Sequence, residues 1–85
     1  NQMRAELDGR SIALTALEYR LVSYMLHHKG RVVPGTELLE HVYGDDASRE
    51  VNAIEALIVR LRRKLGPNAI NTRRGQGYVL GDGRD

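Results

Sequence analysis

Apolar positions along the chain change period twice, and the changes predict its elements. Residues 3–7 and 11–14 flank Asp8-Gly9, a strong short hairpin-turn pair, which predicts two short antiparallel strands. Thr15-Ala16-Leu17-Glu18 then has the form of a capping box, in which hydroxyl and carboxylate satisfy the first orphan donors of a helix. Leu17, Leu21, Tyr24, Met25 and His28 follow at helical spacing, and Gly30 supplies a stop. Val32-Val33 predicts a brief extended stretch. Pro34-Gly35 argues against an earlier start for a second helix, which Thr36 is expected to cap and which runs through Val42 over Leu38 and Leu39. Tyr43, Gly44, Asp45, Asp46, Ala47 and Ser48 read as a loop. A third helix is expected from Arg49 or Glu50 to Leu65, stopped by Gly66-Pro67. Short strands over residues 70–73 and 78–80 close the chain around Arg74-Gly75-Gln76-Gly77, where the glycines admit positive φ in a tight hairpin.

Strands, three helices and a terminal hairpin make an α+β domain. Two helices joined by a turn, with a β-hairpin after the second, form the winged helix-turn-helix pattern. The 85 residues suit one domain with a core over about 5–80, and an apolar fraction of 41% is enough for one core. The chain begins at Asn1 rather than Met and closes in Gly81-Asp82-Gly83-Arg84-Asp85, so it reads as a piece of something longer.

The third helix carries the chemistry. On a wheel of about 100° per residue, Val51, Ile54, Ile58, Leu61 and Leu65 form the core stripe. Arg49, Ala53, Ala56, Arg60, Arg63 and Lys64 fall opposite, with Arg60 in the middle. Small alanines permit close approach to a major-groove floor, and an arginine fork pairs with both acceptors of a guanine edge. Net charge is only +2, but its distribution is one-sided. No acid occurs between Ala56 and Gly81, while Arg60, Arg62, Arg63, Lys64, Arg73 and Arg74 all do. An ordinary solvated helix mixes signs; this segment suits a polyanion. Arg73 and Arg74 precede the hairpin tip, where one of them can enter a narrow minor groove.

Other chemistries find little support. No cysteine is present, so disulfides and thiolate metal sites are excluded, and a reducing cytoplasm is permitted. His27, His28 and His41 form neither a metal set nor a nucleophile–base pair with any carboxylate, and no cofactor is expected. Gly75-x-Gly77 lacks the third glycine and following helix of a dinucleotide fingerprint. No apolar run approaches the ~20 residues needed to span a bilayer.

Certain motifs together resemble a known family. Leu14-Thr15-x-x-Glu18, Val33 with Glu37-Leu38-Leu39 and Val42-Tyr43, and Asn52-Ala53-Ile54-Glu55 lead to Arg60-Leu61-Arg62-Arg63-Lys64-Leu65-Gly66 and Thr72-x-Arg74-Gly75-x-Gly77-Tyr78. This order resembles the OmpR/PhoB family of response-regulator effector domains over about residues 5–80. The resemblance implies transcription control in a bacterial cytoplasm, and an upstream receiver domain, absent from this chain, through which a sensor histidine kinase acts. It implies head-to-tail dimers on direct repeats of double-stranded DNA. It also implies an N-terminal sheet of four strands, of which only two fit before Thr15.

The resemblance carries the base-reading arginine onto Arg60 and the wing arginine onto Arg74. Ala53, Ala56 and Leu57 join them as expected base contacts; Leu57 replaces a histidine common in the family, and Ala56 a valine. Phosphate contacts are expected from Arg49, Asn52, Arg62, Arg63, Lys64, Thr72, Arg73 and Tyr78. The loop Tyr43, Gly44, Asp45, Asp46, Ala47 and Ser48 corresponds to a segment that touches RNA polymerase. From the residues alone, a winged module that binds protein or RNA remains the alternative.

Overall fold

A computed structural model of the chain describes residues 3–7, 9–44 and 51–81. The expectations for Asp8, for Asp45, Asp46, Ala47 and Ser48, for Arg49 or Glu50 as the start of the third helix, and for the tail beyond Gly81 lie outside the described residues. The elements run β1 (Met3–Leu7), β2 (Arg10–Leu14), α1 (Ala16–His27), α2 (Gly35–Tyr43), α3 (Val51–Leu65), β3 (Ile70–Arg73) and β4 (Gly77–Leu80). Strands β1 and β2 pair antiparallel with Ala5 opposite Ile12, and β3 and β4 pair antiparallel with Thr72 opposite Tyr78. This is the winged helix-turn-helix arrangement that the sequence pattern predicts.

The capping box forms as expected. The Glu18 N–H donates to Thr15 Oγ1 at 3.2 Å, and the Thr15 N–H donates to Glu18 Oε1 at 2.9 Å. At α2 the expectation needs correction, because the helix begins at Gly35 and the residue at its N-cap is Pro34, not Thr36. Pro34 sits in extended backbone (φ −62°, ψ 149°), and its carbonyl accepts from the N–H groups of Glu37 and Leu38 at 3.0 and 3.1 Å. A proline restricts the residue before it and has no N–H to lose at a helix start, so it opens a helix without opposing it. The far end of α2 is tied to α1, where Arg20 Nη1 donates to the Val42 carbonyl at 3.0 Å.

One core joins these elements. Leu14, Leu21, Met25, Val33, Leu38 and Val42 pack against Ile54, Leu57, Ile58 and Leu61 of α3 and Ile70 of the wing. Positions 54, 57, 58 and 61 follow the i, i+3, i+4, i+7 rule, so Leu57 completes the buried stripe of α3. Its expected base contact is therefore withdrawn, since a side chain with 0% exposure in the core presents nothing to a groove.

Val33 is more than a brief extended stretch. It exchanges both backbone hydrogen bonds with Tyr78, at 2.7 and 2.9 Å, and so adds an antiparallel bridge to the wing sheet. Gly77 makes this approach possible. Its φ is +144°, and a Cβ there would lie 2.2 Å from the Val33 carbonyl oxygen.

Candidate nucleic-acid interface

Helix α3 is held on both flanks, and its flanks decide which side chains are left to face outward. On the α1 side the fully buried Glu18 receives two cations. Lys64 Nζ donates to Oε1 at 2.6 Å, and Arg60 Nε donates to Oε2 at 3.3 Å. Burial alone would push the Glu18 carboxyl up. Lys64, the Thr15 N–H and Arg60 outweigh it and hold the group below its ordinary value of 4.5. On the wing side, Arg62 Nε donates to the Ile70 carbonyl and Arg62 Nη2 to Thr72 Oγ1, both at 2.9 Å. Arg62 thus fastens β3 to α3.

Between these flanks the outward face of α3 is centred on Asn52, Ala56, Val59 and Arg63, all exposed. Arg60 lies at its α1 edge rather than in the middle, with its side chain 50% exposed. The displacement has a simple cause: Leu57 belongs to the core and turns the buried stripe toward it, which shifts the opposite face by the same angle. Ala53 is half-buried at the same edge. Val59 was not anticipated, although the wheel carries the signal once Leu57 is counted inside.

The wing stands beside this face. Glu55, Thr72, Arg73 and Tyr78 line a shallow recess that continues to Gly35 and Thr36 at the start of α2. Burial and the nearby Glu55 push the Tyr78 phenol up, with Arg62 opposing them. Arg63, Arg73 and Arg74 are exposed, and their guanidinium groups make no hydrogen bond or ion pair among the described residues. The cations thus divide into two sets. Arg60, Arg62 and Lys64 are engaged within the domain, whereas Arg63 on α3 and Arg73 and Arg74 on the wing are not.

Of the expected polymerase-contact loop, Tyr43 is the last residue of α2 and packs half-buried against the core, and Gly44 caps that helix. Two of the three histidines flank an aromatic ring, since Tyr24 lies 4.5 Å from His28 and 4.2 Å from His41 between ring centroids. The Tyr24 hydroxyl donates to Glu37, which also pairs with Arg31 at 2.5 Å, so this corner is a bridge between α1, α2 and their connection. Among the described residues no three His, Cys, Asp or Glu side chains gather as a metal site, and no helix is long and apolar enough to cross a membrane.

Known proteins share this architecture. Residues 9–80 match the family described as transcriptional regulatory protein, C terminal. The two-component response regulator PhoP of Pseudomonas aeruginosa is 45% identical over 94% of this chain, which spans 37% of that protein's length. The DNA-binding domain of CpxR from E. coli superposes with a TM-score of 0.78 at 33% identity, covering 93% of this chain and 82% of that one. The Klebsiella pneumoniae RstA DNA-binding domain, solved in complex with the RstA box, superposes equally well (TM-score 0.78) at 27% identity, covering 92% and 82%. The chain belongs to the family of transcriptional regulatory protein C-terminal domains, the OmpR/PhoB-type winged-helix domains of response regulators.

Proposed function

We propose that this chain binds double-stranded DNA sequence-specifically, as the effector domain of a bacterial two-component response regulator. It is a binding module rather than an enzyme. The observation that carries the reading is the Arg62 clamp. By fastening β3 to α3, it supports a single surface on which the free guanidinium of Arg63 and those of Arg73 and Arg74 act together. α3 enters the major groove and the hairpin tip follows the adjacent minor groove.

Ala53, Ala56 and Arg60 face base edges, and Arg74 reaches the minor groove. Asn52, Arg63 and Arg73 meet phosphates, which position the domain and supply the salt-dependent part of the affinity. Thr72 and Tyr78 support the wing beside the backbone path. Arg49 and the loop of Tyr43, Gly44, Asp45, Asp46, Ala47 and Ser48 extend the reading to a further phosphate and to RNA polymerase.

In the parent protein, a receiver domain phosphorylated by a sensor histidine kinase in the cytoplasm brings two effector domains together. They then occupy a direct repeat head to tail, the second domain binding at raised local concentration.

Selection from a randomised duplex library, run in parallel with the wild-type chain and its Arg60→Ala variant, tests the proposal. The wild type is expected to enrich a direct repeat with half-sites about 10–10.5 bp apart. The variant is expected to relax preference at one base pair of each half-site. Enrichment of nothing by the wild type, beside capture of RNA or protein through the same face, would replace DNA by another partner.

A further inference from the structure

Glu18 does more than cap α1. Its two oxygens are divided between tasks: Oε1 accepts from the Thr15 N–H and Lys64 Nζ, and Oε2 accepts from Arg60 Nε. The carboxylate is fully buried, yet the guanidinium it holds is half-exposed at the edge of the outward α3 face. An arginine carries five N–H donors in a rigid planar fork. With Nε engaged behind it, the pair Nη1 and Nη2 makes no hydrogen bond or ion pair among the described residues. That is the pair that spans the two acceptors of a guanine edge. A free arginine must freeze several torsions to do this; one held at Nε from below is already oriented.

We propose that Glu18 is the positioning residue for base recognition, holding Arg60 by its Nε so that both terminal nitrogens meet guanine. This rests on the DNA-binding reading above. It makes the first helix, which lies outside the groove, a determinant of sequence preference.

Glu18→Gln separates the two tasks. A glutamine at this place in a capping box keeps an oxygen for the Thr15 N–H. With that oxygen retained, its NH₂ faces Arg60 Nε donor to donor, and the Arg60 contact is lost. Thr15→Ala supplies the control, because it weakens the α1 cap without touching Oε2.

The experiment profiles wild type, Glu18→Gln and Thr15→Ala against single-base variants of the duplex enriched by the wild-type chain, with Tm measured for each. Glu18→Gln is expected to lower the guanine preference roughly 5- to 10-fold at the pair lost in Arg60→Ala, with other positions unchanged. Thr15→Ala is expected to lower Tm and leave that preference intact. In the wild-type chain without DNA, exchange of the Arg60 Nε–H with solvent is expected to be slower than that of Arg63, whatever the stability of the variants. Unchanged preference in Glu18→Gln, loss spread evenly over all positions, or equal exchange at the two arginines would each overturn the proposal. A wild-type chain that enriches no duplex would fail the DNA reading itself, a result distinct from these.

Discussion

At the scale of single residues, Glu18 links acid sensitivity to the recognition helix. Its pKa is held below the ordinary 4.5 by Lys64, Thr15 and Arg60 against the opposing effect of burial. A carboxyl depressed in the folded state binds fewer protons there than in the unfolded chain. Its stabilisation is therefore full above about pH 4.5 and is lost as pH falls through the lower folded value. Glu18→Gln is expected to cost about 1–2 kcal/mol at pH 7, the order of a charged hydrogen bond discounted for two partly exposed partners. The gap between variant and wild type should close as pH falls below 4.5, read as urea midpoints at each pH. Parallel curves would show that the carboxylate charge is not what matters. Glu37, lowered by Arg31 and Tyr24, titrates in the same direction in both proteins and leaves the comparison intact.

At the scale of elements, what the sequence revealed was what neighbours along the chain decide. The α1 capping box lies within three residues, so Thr15 and Glu18 announced it. The periodicity of α1 and the glycine-bearing hairpin were legible for the same reason. Contacts between distant segments were not. Nothing local to Val33 points to Tyr78, nothing local to Arg62 points to Thr72, and the second role of Glu18 needs Arg60, 42 positions further on. The family resemblance places Leu57 outward, whereas the helical period with Ile54, Ile58 and Leu61 puts it inside. Gly77 shows the difference most clearly. Its sequence context argues only for a turn, whereas its position beside the Val33 carbonyl forbids any side chain. Gly77→Ala is expected to cost about 2–3 kcal/mol through strain at positive φ and loss of the Val33–Tyr78 rung. Hydrogen exchange would locate the damage: the amides of Val33 and Tyr78 should lose protection while those of α1 keep theirs. Retained protection at Val33 would mean that the wing joins the core by other contacts.

At the scale of the whole molecule, a net charge of +2 is too small to account for polyanion binding, so placement must do it. Much of the basic run is spent internally, with Arg60 and Lys64 set against one buried carboxylate and Arg62 fixed to β3. Arg63, Arg73 and Arg74 remain unengaged among the described residues, and of these Arg63 on α3 and Arg73 on the wing are placed to displace counterions from phosphates. The dependence of affinity on salt distinguishes the two sets, because each phosphate neutralised contributes about 0.9 to the slope of log K against log salt. Arg63→Ala and Arg73→Ala are each expected to reduce that slope by about 0.9, and the double variant by about 1.8, because the sites lie on separate elements and act independently. Lys64→Met is expected to leave the slope unchanged while lowering Tm, since its ammonium is occupied by Glu18 before DNA arrives. Fluorescence anisotropy on the selected duplex between about 50 and 200 mM salt covers the range in which such slopes are resolved. A slope reduced as much by Lys64→Met as by Arg63→Ala would mean that the ion pair opens on DNA. Glu18 would then hold a latent phosphate contact in the free domain, and Lys64 would join Arg60 on the binding surface.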